Sequence, residues 1–170
     1  MFNSVMVRGQ SVLKIILAVA AIGAIGIVGL LVYIRLAPSD PAQWDIDIAA
    51  TDFVPPAKWA AFCPSPGTPE FVTGSTLAKL AEVADATPGT KRLAGSVEAG
   101  RITWITRSRL FGFPDYATAA TVDTAGGPQL CIVSRQRFGQ EDAGVNAAKV
   151  QSWLMAANGY AQAPTLAWKP

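Results

Sequence analysis

The sequence predicts an α+β protein: one N-terminal transmembrane helix, then a small two-layer sandwich in which two helices cover one face of a four-stranded antiparallel meander. Three observations lead to this prediction. Residues 15–34 carry no charged or strongly polar side chain, two later stretches have the apolar spacing of amphipathic helices, and four alternating runs between them are joined by short turns. About 130 residues follow the apolar run, enough for one hydrophobic core.

The apolar run fits a bilayer, because a helix of twenty residues is about 30 Å long. We therefore predict a cytoplasmic N-terminus over residues 1–14 and a retained membrane anchor over residues 15–35. A cleaved signal peptide is the alternative, since Ala18 and Ala20 fit a small-residue cleavage site. Cleavage there would leave a strongly apolar new N-terminus, which favours the anchor.

Charge predicts the orientation of this anchor. Arg8 and Lys14 precede it, whereas all 12 acidic residues lie from Asp40 onward. The positive-inside rule then predicts a cytoplasmic N-terminus and a translocated C-terminal domain on a single pass through the membrane, and Arg35 after the span weakens this prediction without reversing it. The basic pI comes from the flanks of the anchor, since residues 36–170 hold 11 basic and 12 acidic side chains, and it does not indicate nucleic-acid binding.

Small residues recur inside the anchor at spacings of three or four, a pattern that lets a second helix approach closely. They predict packing against another membrane protein, although glycine and alanine are also simply common in membrane helices. These candidate packing residues are Ala20, Gly23, Ala24, Gly26 and Gly29.

Residues 36–74 are rich in both proline and aromatic residues. Seven prolines disfavour a long regular element, and a disordered linker would not carry five large rings. We predict an extended segment that lies over the domain surface with its rings as anchors, and that also contributes to a partner contact. The rings are Trp44, Phe53, Trp59, Phe62 and Phe71.

The α+β domain is predicted over residues 75–158, with a tail over residues 159–170. Its first helix has Ser75 as N-cap and an apolar stripe through Leu77 and Leu80. Its last helix is capped by Asp142 or Asn146. The strands between them are predicted over residues 91–98, 101–110, 116–123 and 129–138.

Two similar stretches at residues 106–116 and 134–146 contain the candidate site. Each holds two arginines separated by one residue and followed by a glycine, with an aspartate three positions after that glycine. Alternate residues of a strand share a face, and the second and fourth predicted strands end at the same end of a meander. The two cationic pairs should therefore lie about 10 Å apart. The cluster comprises Arg107, Arg109, Asp115, Arg135, Arg137, Asp142 and Asn146.

Two interpretations of this cluster compete. In the favoured one, each aspartate pairs with a neighbouring arginine and fixes the turn. In the other, some guanidinium groups bind an anion such as a phosphate, a carboxylate or a lipid headgroup.

Composition argues against most catalytic chemistry. The chain has no histidine, which removes the commonest general base and metal ligand, and we predict no metal and no cofactor. Ser108 and Ser134 have no lysine nearby in sequence, and Cys131 falls inside a predicted strand. Cys63 and Cys131 could pair outside the cytoplasm, but sequence alone does not show that they are close.

Three stretches resemble a bacterial and plastid family known as domain of unknown function 1499: residues 35–44, 92–116 and 137–146. The D-x-G-V-N element that ends at Asn146 is the most specific of these. The chain departs from the family pattern where Ala147 and Ala148 follow that asparagine, in place of basic residues. Together with the predicted orientation, the resemblance implies a single-pass protein of the bacterial inner (cytoplasmic) membrane with its C-terminal domain in the periplasm. It implies no catalytic residues.

Two functions follow as hypotheses. The first is a non-catalytic accessory or structural subunit, held in the bilayer by its single span beside a larger membrane assembly. The second is an extracytoplasmic binding module for an anionic small molecule or lipid headgroup at the arginine-rich end of the sheet. We favour the accessory role.

Overall fold

The computed structural model describes residues 2–65, 74–139 and 143–160, with side chains from residue 12 onward. The chain divides into two compact units, Met1–Ala37 and Pro38–Pro170. The first unit is a helix and the second is the α+β domain.

Helix α1 (Phe2–Leu36) contains the predicted apolar run. Its span Val12–Leu36 has a mean hydropathy of 2.9, which makes it long and apolar enough to cross a membrane, a criterion that a signal sequence also meets. Most of its leucine, isoleucine and valine side chains are exposed. This exposure differs from the core helix of a soluble protein, whose apolar stripe is covered by neighbouring elements.

The domain contains an antiparallel sheet of five strands, numbered β1 to β5 along the chain and arranged side by side in the order β1-β5-β4-β3-β2. The α+β class is confirmed, but the strand count of four is too low by one. The additional strand is β1 (Ala60–Phe62), which pairs with the outer edge of the last strand. Three residues are too few to show alternation, so periodicity predicts no strand here.

The other four strands form the predicted meander with shifted ends: β2 (Thr90–Ser96), β3 (Arg101–Arg107), β4 (Pro114–Thr124) and β5 (Gly127–Gln136). Strand β3 ends three residues earlier than predicted. The main-chain N–H of Ser108 donates to the carbonyl of Phe113, and the Phe113 N–H donates to the Ser108 hydroxyl, so the chain turns at that point. Residues 108–113 are therefore a loop.

Helix α3 (Leu77–Ala86) and helix α4 (Val145–Ala157) pack on one face of the sheet, as predicted. Thr76, and not Ser75, caps α3, because its hydroxyl accepts the Lys79 N–H at 3.3 Å. Helix α4 follows Gly144, which adopts a left-handed conformation with φ 80° that glycine tolerates. The core between helices and sheet includes Leu80, Ile102, Trp104, Ile132, Val150, Trp153 and Leu154.

Residues 38–63 are here called the covering segment. Its first part packs against the opposite face of the sheet, and its end forms the edge strand β1, with Phe62 on the helix side. The segment contains the short helix α2 (Pro41–Trp44), whose first turn is capped by the Asp40 carboxylate, and strand β1. Ile48 is buried against Val133, with Phe53 and Trp59 partly buried beside them. The predicted use of rings as anchors is correct for these positions, whereas Phe71 lies outside the described residues. The covering segment adds a third layer to the predicted two-layer sandwich.

A disulfide joins Cys63 at the end of the covering segment to Cys131 in β5. The two positions are 68 residues apart, and only the pairing of β1 with β5 brings them together. Cys131 is therefore a bonded residue and not an inert buried thiol.

Removal of this disulfide should destabilise the domain. For a closed loop of this length the chain-entropy model gives about 4 kcal/mol. We expect the double variant Cys63→Ser/Cys131→Ser to lose a free energy of unfolding of that order, measured by denaturant titration of the detergent-extracted protein. Wild-type protein treated with a reductant is the matched control and should unfold at the same lower midpoint. Equal midpoints for oxidised and reduced wild type would contradict the prediction.

Candidate functional site

Arg135 lies at the centre of the arginine-rich end of the sheet and is only 4% exposed. Its guanidinium carbon lies 4.8 Å from the centroid of the Trp59 ring and 5.5 Å from that of the Trp44 ring. One Nη donates to the Trp44 carbonyl at 2.5 Å, and the other donates to the Thr118 hydroxyl at 3.4 Å. Two rings of the covering segment therefore hold a cation of the sheet, and each such contact is worth up to about 2 kcal/mol when water is excluded.

Trp44 is itself held by Tyr116, the neighbour of Arg135 across the β4–β5 ladder. The two rings stack with centroids 3.9 Å apart and planes within 10°. The Tyr116 hydroxyl is 2.7 Å from the Ser39 hydroxyl, so the buried phenol keeps a polar partner. The Trp44 indole nitrogen is buried and makes no hydrogen bond within the described ranges. The Trp44 ring is therefore positioned by its stacking on Tyr116 and not by a hydrogen bond from its indole N–H.

Asp45 supplies the negative charge beside Arg135. Its carboxylate accepts the Thr103 hydroxyl at 2.7 Å and lies 3.3 Å from the Nε of Arg101. Asp47 also pairs with Arg101, at 3.1 Å. These contacts attach Asp45 of the covering segment to strand β3, where its charge acts on the Arg135 guanidinium.

Burial lowers the pKa of Arg135 to about 10, and the neighbouring Tyr116 and Asp45 oppose this shift. The desolvation of the charged form is the main cause. The guanidinium nevertheless stays protonated at neutral pH, because a pKa of about 10 lies three units above it. Arg135 is therefore a permanent buried cation.

Arg137 follows the end of β5 and contacts the same part of the covering segment. It donates from Nη1 to the Pro38 carbonyl at 2.5 Å, and its guanidinium carbon is 5.8 Å from the Trp44 ring centroid. Arg135 and Arg137 thus contact the same tryptophan, in line with strand alternation.

Arg107 and Arg109 do not form a second strand pair. Arg107 is the last residue of β3 and donates to the Gly112 carbonyl at 3.1 Å, whereas Arg109 is exposed in the loop that follows. The register pairs Arg107 with Pro114, and the Arg137 N–H donates to the Pro114 carbonyl, so Arg107 and Arg137 lie at the same end of the sheet with β4 between them.

Of the two predicted aspartates, Asp115 occupies another position than expected. Asp115 lies in β4, paired with Thr106 and Gln136, and not in a turn. Alternation places it with Ala117 and Ala119, on the side of the helices. Asp142 lies outside the described residues, so its predicted pairing and capping stay predictions.

Asn146 is not the N-cap of α4. It is the second residue of the helix and is 1% exposed, with its Oδ1 accepting the Ser134 hydroxyl at 2.5 Å and the Lys149 ammonium at 3.0 Å. The asparagine of the D-x-G-V-N element therefore joins the last helix to the last strand. Gly144, two positions earlier, provides the backbone turn that directs the side chain inward.

The five small residues of α1 all have exposed positions. A Cβ atom added at Gly23, Gly26 or Gly29 would meet nothing within 4 Å. Larger side chains at these glycines would therefore fit without steric conflict in the isolated chain.

A concave region lies beside the disulfide, at the end of the sheet opposite the arginine cluster. It is an open groove of about 490 Å³ between residues 48–55 of the covering segment and residues 121–124 of β4. Asp123 is the single charged side chain among its lining residues in the described part of the chain. No group of three or more potential metal ligands occurs among the described residues.

The chain belongs to the family described as "Protein of unknown function (DUF1499)", whose model matches residues 35–156. This confirms the resemblance inferred from the sequence. Comparisons with curated proteins and with solved structures gave no match. The matched range begins before the covering segment and ends within α4, so it includes every residue that contacts Arg135.

Sequence reasoning missed Asp45, Thr103 and Thr118 as members of the site. They lie 90, 32 and 17 positions from Arg135, and none is in a motif with it. The sequence predicts that Trp44 and Trp59 anchor the segment to the domain, but it does not predict which residues they contact. The available signal was the unusual combination of rings and prolines, which indicated contact with the domain but not with arginine.

Arg135→Lys should destabilise the domain, although charge is kept. An ammonium has no planar fork with which to contact both indole rings while donating to both the Trp44 carbonyl and the Thr118 hydroxyl. We expect a loss of about 1–3 kcal/mol in the free energy of unfolding. The measurement is denaturant unfolding followed by tryptophan fluorescence, to which Trp44 and Trp59 both contribute.

The matched control is Arg109→Lys, because that guanidinium is exposed. It should change the stability by less than about 0.5 kcal/mol. Equal effects of the two substitutions would show that the stacking of Arg135 does not stabilise the fold.

Proposed function

We propose that this protein is a non-catalytic accessory subunit of a larger membrane assembly, anchored in the bacterial cytoplasmic membrane by α1. The observation that carries the proposal is an apolar helix of 25 residues whose apolar side chains are exposed. Its glycine positions leave room for a second helix to approach, and close packing of small residues is how membrane helices associate.

The domain is proposed to lie on the periplasmic side. Arg8 and Lys14 precede the apolar span, and the segment after it is acidic. The disulfide between Cys63 and Cys131 supports the same placement, because such bonds persist in oxidising compartments and are rare in the cytoplasm.

Binding of an anionic small molecule at the arginine cluster receives less support. The guanidinium of Arg135 is buried and donates to the Trp44 carbonyl, and that of Arg137 donates to the Pro38 carbonyl. A phosphate or carboxylate would have to displace these contacts within the domain. The cluster is better explained as the attachment of the covering segment to the sheet.

The accessory role predicts a partner that depends on the glycines of α1. Gly23→Leu/Gly26→Leu should abolish co-purification of a stoichiometric membrane protein in mild detergent, because the added side chains would hold a partner helix away. The measurement is affinity purification followed by quantification of co-purified proteins, with the thermal stability of the domain followed in parallel.

Ala21→Leu is the matched control. At about 100° per residue it lies on the side of the helix opposite Gly23 and Gly26, so it adds bulk without touching their face. The partner should remain bound to this variant. A protein that purifies without a stoichiometric partner, or one whose partner is equally retained by all three forms, would contradict the accessory role.

A further inference from the structure

The loop between β3 and β4 presents an apolar tip beside a cation. Leu110 is 75% exposed, Phe111 is 44% exposed, and Arg109 precedes them with an exposed side chain. Leu110 and Phe111 are adjacent and form a contiguous exposed apolar patch beside a charged residue, a feature of interaction surfaces.

Hydrogen bonds make this loop a fixed structure. Ser108 and Phe113 close it through their main chains at 3.0 Å, and the Gly112 N–H donates to the Ser108 carbonyl at 2.9 Å. The Arg107 side chain donates to the Gly112 carbonyl. Gly112 has φ 73°, a left-handed conformation that lets the chain return to β4. The tip is therefore presented without the conformational freedom of an ordinary loop.

A series of ring contacts connects the tip to the point where the chain enters the domain. Phe111 and Phe138 each make an edge contact with Phe113, with centroids 6.0 and 6.2 Å apart. The Arg137 guanidinium lies 5.3 Å from the Phe138 centroid and donates to the Pro38 carbonyl. Residue 38 and the loop tip thus belong to the same end of the domain.

Residue 38 follows the last residue of the apolar helix, Leu36, by two positions. Two residues of chain span at most about 7 Å, so in an anchored protein Pro38 itself lies within about that distance of the end of the helix, near the bilayer surface. The three side chains match the three zones of that surface: the leucine matches the apolar boundary, the aromatic ring the interface and the arginine the phosphate layer.

We propose that Arg109, Leu110 and Phe111 form a membrane-surface contact, in which the two apolar side chains enter the lipid interface and the guanidinium contacts anionic headgroup phosphates. This contact rests on the membrane anchoring proposed above.

The test uses the full chain in nanodiscs of phosphatidylcholine and phosphatidylglycerol at about 3:1. Leu110→Cys carries an environment-sensitive fluorophore, and labelling is selective because the two native cysteines are joined in a disulfide. Ala125→Cys is the matched control. It lies in the turn at the other end of β4, about 35 Å from the loop, with an equally exposed position.

We expect blue-shifted emission and quenching by lipid-borne doxyl groups for the label at residue 110, and quenching by aqueous iodide for the label at residue 125. Arg109→Glu in the Leu110→Cys background should weaken the shielding, since one arginine near an anionic surface contributes roughly a fivefold factor in partitioning.

Equal accessibility of both labels to iodide would overturn the contact, as would shielding of residue 110 that appears only when a second protein is added. Co-elution of the labelled chain with nanodiscs tests the anchor separately. A chain that co-elutes with an unshielded loop refutes the contact alone, whereas a chain that does not co-elute refutes the anchoring.

Discussion

The structure of the domain depends on the burial of one arginine between two tryptophans. The guanidinium of Arg135 is taken out of water, and its contacts with Trp44, Trp59 and Thr118 compensate part of the loss of hydration, together with the charge of Asp45. Because both rings belong to the covering segment, the sheet face and the segment stabilise each other. The disulfide fixes the far end of the same segment, so residues 38–63 are held at both ends.

The burial of Arg135 also explains the arrangement of the charged residues around it. Asp45 is held by Thr103 and Arg101 near Arg135, which keeps a carboxylate close to the buried cation without a direct pair between them. A lysine would lose the flat contact with the rings, and a neutral residue would leave the Trp44 carbonyl without its donor. The cationic cluster that suggests an anion site in the sequence is thus largely engaged with the main chain of the domain.

The sequence predicted the elements whose periodicity is long enough to be specific. The apolar span, two amphipathic helices and four strands were all identified, with ends wrong by up to three residues. Strand β1 was missed because three residues show no period, and the Asn146 side chain was assigned to a cap because its inward partner, Ser134, lies on a separate element. Arg107 and Arg137 lie at the same end of the sheet with β4 between them. Arg109 lies in the loop after β3, since the loop closure at Ser108 decides where that strand ends, and Asp115 lies in β4.

The sequence by itself determined the class of the protein: an apolar helix, an α+β domain and membership of an uncharacterised family, because these follow from local composition, period and motif. Only the tertiary structure decided what the arginines do. Their partners come from residues as far as 99 positions away, such as Pro38 and Arg137, and no local pattern encodes a contact over that distance. The pairing of Cys63 with Cys131 has the same origin, since sequence gives the two thiols and only the β1–β5 ladder brings them together.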